Sequence, residues 1–391
     1  LPFSFKSVLV KGRRNYVCKR KVKNLENEAG DFFADDPERK EEFIKLLNWF
    51  SQTKTGSKSD INFVIDNDIW DRVVSESDLC LRTKCPFFNS CFFMQARKEV
   101  FSADILIVNH HLLLSDALLK NENAGLLPEY DHLIVDEAHN FHDIATYQLG
   151  NNFNYYSFNK FMNRLDRSRF SLITRIRNDL SGKKLDNKTQ ILKLLDQKII
   201  PQIQRIQEVS IDFFNELEQF YGDREERMLR LVTEIMTSDS WINVEEKGDK
   251  FVKLINNLGY YLSQLYEELV VITADKIHHI EERLLELESA LNSCHSFINA
   301  LEFNLNADDE DYVFWLEKYS NYNETVINQN NAPLVVSEVL PDILWDRLNN
   351  IVLTSATLTV NSSFSFFKEH LGLNNCQELE IESPFDYSKQ A

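Results

Sequence analysis

His132-Leu133-Ile134-Val135-Asp136-Glu137-Ala138-His139-Asn140 reads as a short strand that stops at two adjacent carboxylates. Its Leu133, Ile134 and Val135 are apolar on both faces, as in a strand buried within a parallel sheet. In open α/β sheets the ligand-handling groups gather at the carboxyl ends of strands. Three other stretches repeat the form: Ser7-Val8-Leu9-Val10 before KGRRNYVC, Ile105-Leu106-Ile107-Val108 before NHHLLL, and Ile351-Val352-Leu353 before TSATL. Four occurrences of a buried strand followed by a polar motif predict one nucleotide-handling α/β domain, interrupted by insertions.

With 391 residues the chain is too long for one small core, and two or three packed units are expected. No run of eighteen apolar residues appears, so no membrane span is expected. The first residues lack the parts of a secretory signal, and six cysteines are too sparse for a disulfide framework. A reducing cytoplasm is the expected setting. The chain opens on Leu1 and stops at SPFDYSKQA, from which a piece of a longer protein is expected.

A net charge of −18 argues against a protein that coats nucleic acid over its whole surface. The charge is uneven, however. Residues 1–25 hold Lys6, Lys11, Arg13, Arg14, Lys19, Arg20, Lys21 and Lys23 and no acid, while acids cluster at 26–45 and through 206–310. With Tyr16 and Cys18 inside it, the basic segment reads as a phosphate-binding surface beside a metal site.

The first insertion, about 19–100, joins a charged helical piece (Glu41 to Phe50), a polar loop (SQTKTGSKSD) and a cysteine loop. The second, about 150–330, reads as helical. Ile277, Ile280, Leu284, Leu287, Leu291, Cys294, Ile298, Leu301 and Leu305 alternate spacings of three and four, a heptad seam between long helices. Leu192, Leu195, Ile199, Ile203 and Ile206 form its expected partner, with Pro201 marking a kink or a helix start. Cys294 falls in the seam and is expected to be a buried small hydrophobe. Cys376 lies in a polar loop with no role assigned.

Cys80, Cys85 and Cys91 follow C-x4-C-x5-C, and Cys18 stands 62 residues before the first of them. Four thiolates can bind tetrahedral zinc or a 4Fe–4S cube. Structural zinc sites usually use two close knuckles, so one distant cysteine plus three widely spaced ones suits the larger cube. Phe87, Phe88, Phe92 and Phe93 could shield it from water. On spacing alone, zinc and unlinked thiols stay open.

At the strand ends, Asp136 can hold Mg²⁺ opposite the β- and γ-phosphates of a nucleotide. Glu137 can orient and deprotonate the attacking water. His139 can sense the γ-phosphate side. Ser355 and Thr357 offer hydroxyls at the same sheet edge to couple nucleotide state to movement, although a helix N-cap would explain them equally well. Asn109-His110-His111 is not expected to ligate metal, because adjacent histidines on a strand point apart. No G-x-x-x-x-G-K-[ST] loop occurs, so this polypeptide alone is expected to hydrolyse ATP feebly or not at all.

As a set, KGRRNYVC, the cysteine loop, ADILIVNHHLLL, HLIVDEAHN, and IVLTSATL with a downstream SPFDY resemble the DinG-type helicases of bacteria, relatives of the XPD helicases. The likeness runs from about residue 7 to the end, with 150–330 similar in position and character only. It implies an α/β fold: a RecA-like first motor domain (1–18, 101–149 and 331–375), an iron–sulfur domain (19–100) and a helical arch-like domain (150–330). Residues 376–391 would start a truncated second motor domain.

The resemblance further implies ATP-driven 5′→3′ translocation on single-stranded DNA in repair or replication, with a 4Fe–4S cluster, ATP and Mg²⁺. Forked duplex DNA would be the substrate, the protein a monomer in the bacterial cytoplasm acting at the nucleoid, and a single-strand-binding protein a partner. Cys18, Cys80, Cys85 and Cys91 would bind the cluster. Asp136 and Glu137 would face the nucleotide, with His139, Ser355 and Thr357 completing the catalytic set. Lys11, Arg13, Arg14 and Tyr16 would lie near DNA. The missing phosphate loop and second motor domain depart from the family and leave the activity of this polypeptide in doubt. The alternative is a non-enzymatic DNA-binding or redox-sensing iron–sulfur module. A weaker one is a zinc-bound α/β scaffold.

Overall fold

The computed structural model describes residues 4–32, 36–121, 125–277, 279–321 and 324–381. From the N-terminus, β1 (Ser7–Leu9) leads to α1 (Lys19–Phe32), α2 (Pro37–Gln52), α3 (Asn67–Val73) and α4 (Phe92–Val100). Then come β2 (Ile105–Ile107), α5 (His110–Asn121), β3 (His132–Val135), α6 (Phe141–Leu149) and β4 (Asn152–Phe153). The helical stretch contains α7 (Tyr155–Leu165), α8 (Leu172–Leu180), α9 (Lys188–Leu194), α10 (Ile200–Tyr221), β5 (Met228–Arg230), α11 (Thr233–Met236), α12 (Asp239–Val270) and α13 (Ile280–Asn306). Strands β6 (Tyr312–Asn321) and β7 (Glu324–Pro333), helix α14 (Val336–Ile343), β8 (Asn350–Leu353) and α15 (Ser365–Leu371) follow. SPFDYSKQA lies outside the described residues.

The chain divides into two compact units, one of residues 1–108 with 151–331, the other of 109–150 with 332–391. The expected parallel pairing is present in each. In the first, β1 pairs β2 with Val8 opposite Leu106. In the second, β3 pairs β8 with Val135 opposite Leu353. The four strands do not form one sheet among the described residues, and the two pairs are not buried on both faces as expected. Ile107 is 52% exposed, Ile134 73% and Val352 54%. A two-stranded ribbon has no inner position, so one face of each pair stays open.

Local sequence explains where the helices start. Asp36 accepts the Arg39 N–H at 3.1 Å with Pro37 in the first turn of α2, and Asp66, Asn154 and Ser238 cap α3, α7 and α12 in the same way. A five-residue π-turn, 195–199, interrupts an otherwise continuous helical run from 188 to 221, and Pro201 follows directly, so the widened turn accommodates its missing N–H.

The seam at 277–305 forms α13 as predicted. Ile280, Leu287, Cys294, Leu301 and Leu305 are buried, with Leu284, Leu291 and Ile298 half-buried against the same core. Burial pushes the Cys294 thiol up to about 12, the behaviour of a packed hydrophobe. Its main partner, however, is α12, which the sequence pattern had not singled out. The expected partner, the α9–α10 stretch, packs on α12. Gly248 explains the close approach of α12 and α13, since a Cβ there would sit 2.4 Å from Leu305.

The stretch 150–330 is not wholly helical. A four-stranded sheet in the order β4-β7-β6-β5 lies within it, with β4 antiparallel to β7 and β5 to β6, and buries Phe314, Leu316 and Ile327 in the helical core. Among the described residues no helix is long and apolar enough to cross a membrane.

Candidate functional site

Strand β3 ends at Val135, and the chain then turns sharply. Glu137 adopts the left-handed conformation (φ 49°, ψ 42°), which costs a residue with a Cβ on the order of 1 kcal/mol. The turn is held from the neighbouring strand, since Thr354 N–H donates to the Val135 carbonyl at 2.9 Å and Ala138 N–H to the Thr354 carbonyl at 3.0 Å. Ala138 is fully buried, so the backbone is fixed while the side chains on either side of it stay in solvent.

Those side chains meet the TSAT segment. His139 Nδ1 lies 2.7 Å from Ser355 Oγ and 3.3 Å from Glu137 Oε2, and the Ser355 hydroxyl stands 3.5 Å from the same carboxylate oxygen. A carboxylate beside Nδ1 favours the tautomer with its proton there, so the ring can donate toward both oxygens. Thr357 enters through its N–H, 3.5 Å from Ser355 Oγ. Asp136 Oδ1 accepts the Glu137 N–H at 3.0 Å and leaves its second oxygen to solvent.

The histidine pair departs from expectation. His110 and His111 open helix α5 rather than lie on a strand, because Asn109 caps it by accepting the Leu112 N–H at 2.9 Å. His110 then donates from Nε2 to the Asp136 carbonyl at 2.9 Å while its ring rests edge-on against buried Phe141, 5.3 Å away. It thereby braces the acidic turn from below. Sequence reasoning missed this residue; the one signal was a polar pair directly after an apolar run.

The cysteine region has its own core of Tyr16, Val17, Val22, Leu25, Phe43, Leu46, Ile69, Trp70, Val73, Val74 and Phe92. Tyr16 and Val17 bridge to Ser57 and Val74, and Gly56, at φ +65°, is packed so tightly on Phe92 that a Cβ would lie 2.3 Å from the ring. Cys18 N–H donates to the Val73 carbonyl at 2.7 Å, which fixes the first cysteine beside the later loop. Cys85 lies near enough to Cys18 and to Cys80 to feel the charge of each. Burial raises the Cys85 thiol most, a backbone bond from Phe87 lowers it, and Cys18 raises it again. Cys80 Sγ likewise accepts the Arg82 N–H at 3.4 Å. Backbone N–H groups aimed at two sulfurs suit thiolate ligands. Among the described residues, though, no three such side chains converge as a closed metal site. The donor set is chemically right and not drawn together.

Arg20 organises this region. Buried to 8% exposure, it donates to the Leu79 carbonyl at 2.7 Å, just before Cys80, and pairs with Glu282 of α13 at 2.9 Å. Burial lowers its pKa, but Glu282 and then the Cys18 charge outweigh that and raise it. Asn24 bonds the same Glu282, and Asp78 accepts from Ser289 of α13. A partner 262 positions away leaves no local trace in sequence.

In the basic segment, Lys11 donates to Ser57 and Ser59, Arg13 donates to Ser75 and lies 4.4 Å over the Phe93 ring, and Arg14 pairs with Asp71 and Glu76. Tyr16 is only 6% exposed, with burial raising its hydroxyl pKa, so its ring serves the core rather than an open stacking surface.

The DEAD_2 family model matches residues 3–155, a span that contains Cys18, the three cysteines of the loop and the acidic turn. The whole chain is 25% identical to the ATP-dependent DNA helicase YoaA of Escherichia coli, covering 54% of it. It is also 25% identical to the 3′-5′ exonuclease DinG of Bacillus subtilis, covering 41%, and 27% identical to the ATP-dependent helicase DinG of Mycobacterium tuberculosis, covering 53%.

Over its whole length the chain is similar to DinG-type and YoaA helicases, and residues 3–155 match the DEAD_2 model.

It spans about half the length of the curated relatives it matches. The two sites divide between the two compact units: the cysteine loop and basic segment in the first, the acidic turn with Ser355 in the second.

Proposed function

We propose that the chain is the central part of an ATP-dependent DNA helicase that moves 5′→3′ along single-stranded DNA in the bacterial cytoplasm. The observation that carries this reading is the Glu137–His139–Ser355 contact at the ends of adjacent parallel strands. Asp136 would hold Mg²⁺ and Glu137 would position the attacking water against the γ-phosphate. His139 would report the state of Glu137 to Ser355, and the segment up to Thr357 would carry that report toward DNA. An exposed carboxylate, a histidine and a hydroxyl within 3.5 Å form a short proton and hydrogen-bond relay that can differ between nucleotide states.

Cys18, Cys80, Cys85 and Cys91 would hold a 4Fe–4S cluster, which would supply a rigid four-point cross-link to the cysteine region. The charge that Cys18 and Cys80 each exert on Cys85, and the N–H donors to Cys80 and Cys85, support that ligand set. Lys11, Arg13 and Arg14 would contact phosphates, and forked duplex would be the substrate. In the full-length protein, ATP-driven unwinding should appear on a 5′-tailed duplex, be absent on a 3′-tailed one, and be lost in Cys85→Ser together with bound iron. Equal unwinding of both tails would remove the polarity claim, and an iron-free protein that unwinds normally would remove the cluster.

A further inference from the structure

The sheet bonds fall on either side of the Asp136–Glu137 peptide and miss it. The Val135 carbonyl accepts from the Thr354 N–H at 2.9 Å, and the Ala138 N–H donates to the Thr354 carbonyl at 3.0 Å. Among the described residues neither the Asp136 carbonyl nor the Glu137 N–H has a main-chain partner. Side chains hold both instead. The Glu137 N–H donates to Asp136 Oδ1 at 3.0 Å, and the Asp136 carbonyl accepts from His110 Nε2 at 2.9 Å. A carbonyl can only accept, so Nε2 carries a proton.

This peptide decides where Glu137 points. Its rotation changes ψ of Asp136 and φ of Glu137 together, and that φ stands at 49°, in the left-handed region that a residue with a Cβ occupies under strain. Turning the peptide over returns Glu137 to negative φ and relieves the strain. It also carries the Asp136 carbonyl away from His110 and re-aims the carboxylate that lies 3.3 Å from His139 and 3.5 Å from Ser355. Strain therefore favours one orientation and the His110 bond the other. The ring that makes this bond is itself fixed. Asn109 caps α5 one residue before it, and its edge rests on fully buried Phe141, 5.3 Å away. Phe141 packs on Trp345 at 5.4 Å, whose Nε1 donates to the Leu371 carbonyl at 2.7 Å. All four residues belong to the same compact unit as the turn, so the donor stands on a rigid support.

We propose that His110 is a positioning residue for the acidic turn: its Nε2–H holds the Asp136–Glu137 peptide in the strained orientation and so keeps Glu137 facing His139 and Ser355. This rests on the proposed role of Glu137 in ATP hydrolysis. His110 acts through Glu137 and gives no group to the reaction itself, so its loss lowers turnover and spares nucleotide binding. His111 does not share the role, since its Nδ1 lies 3.4 Å from Gln148 Oε1 on α6.

The test is DNA-stimulated ATP hydrolysis by the full-length protein, with kcat and the KM for ATP read separately. His110→Phe keeps a ring against Phe141 and removes the donor. His110→Gln loses the ring but places an amide N–H where Nε2 stands, whereas His110→Asn places it where Nδ1 stands, out of reach. The phenylalanine and asparagine variants should lose about a hundredfold in kcat, the cost of displacing a reacting group by about 1 Å, with KM little changed. The glutamine variant should recover most of that loss. In the double variant His110→Phe with Glu137→Gln, turnover should be no lower than in Glu137→Gln alone, because nothing is left to position. If the ring replacement lowers the melting temperature, the comparison of glutamine with asparagine decides alone. A phenylalanine variant of wild-type kcat, a glutamine variant no better than asparagine, or a fully additive double variant overturns the positioning role and leaves the helicase reading standing. A Glu137→Gln protein that hydrolyses ATP at the wild-type rate overturns both.

Discussion

At the strand ends, Glu137, His139 and Ser355 come within 3.5 Å of one another on segments anchored by two four-residue strands. The cysteine region instead encloses the 61 residues between Cys18 and Cys80 in a core of their own, then fastens that stretch to α13 by buried charge. One site is assembled from two motifs that backbone ladders bring side by side. The other depends on a single arginine that serves a carbonyl, a carboxylate and the field of the thiols together. The difference teaches where each should fail. The first should lose chemistry without losing structure, and the second should lose structure before chemistry is reached.

The largest expected effect breaks the second site. Arg20→Leu would leave Glu282, only 12% exposed, with Asn24 and a 3.8 Å contact to His279 in place of its guanidinium, and unpairing a buried ion pair typically costs about 3–5 kcal/mol. Thermal melting should fall by several degrees, and amide exchange should accelerate across 78–91. Arg20→Lys should recover part of the loss, since it restores the charge without the fork. Unchanged exchange in that loop would show that its own core suffices.

Next in size is Ser355→Ala, which sharpens the contrast from the other side. Melting should shift by no more than about 1 kcal/mol, as for an exposed hydrogen bond, while unwinding per ATP hydrolysed drops roughly tenfold. A matching fall in stability would erase the distinction between the sites.

The smallest effect concerns α13, to which Arg20 is tied. Cys294 in the folded chain titrates at about 12, above the ordinary thiol value of 9.0. Between those pH values the unfolded chain sheds the proton and the folded chain keeps it, so stability falls as pH rises through that window, by up to about 1.4 kcal/mol per pH unit. Relative to wild type, Cys294→Ala should gain stability over this range in denaturant melts from pH 9 to 11. A constant difference would place Cys294 outside the core.

Much of this was legible in the chain itself. Leu133 to His139 and Ile351 to Thr357 are contiguous, and parallel pairing follows from their apolar runs. The α13 seam was legible because its period repeats over many residues, and Cys294 could be placed by counting. What escaped notice is long in sequence or depends on what covers a surface. Arg20 and Glu282 are 262 positions apart. The sheet of β4 to β7 hid behind a polar run, INQNNA, whose Gln329 is wholly buried. Apolar strands such as Leu133–Val135 suggested burial, yet Ile134 is largely open, because apolar alternation reports what a residue prefers and not what lies over it. The acidic-turn histidine His110 was misplaced on a strand because Asn109, as an N-cap, starts a helix one residue earlier than the apolar run suggests.

The central claim is that Glu137, with His139 and Ser355, is the working end of an ATP-driven motor. Its most direct test is DNA-stimulated ATP hydrolysis by the full-length protein and its Glu137→Gln variant, measured at saturating single-stranded DNA and ATP. Loss of a positioned general base predicts a fall of about 10²–10⁴-fold in turnover with ATP binding and melting temperature retained. A variant that hydrolyses ATP at the wild-type rate would contradict the account.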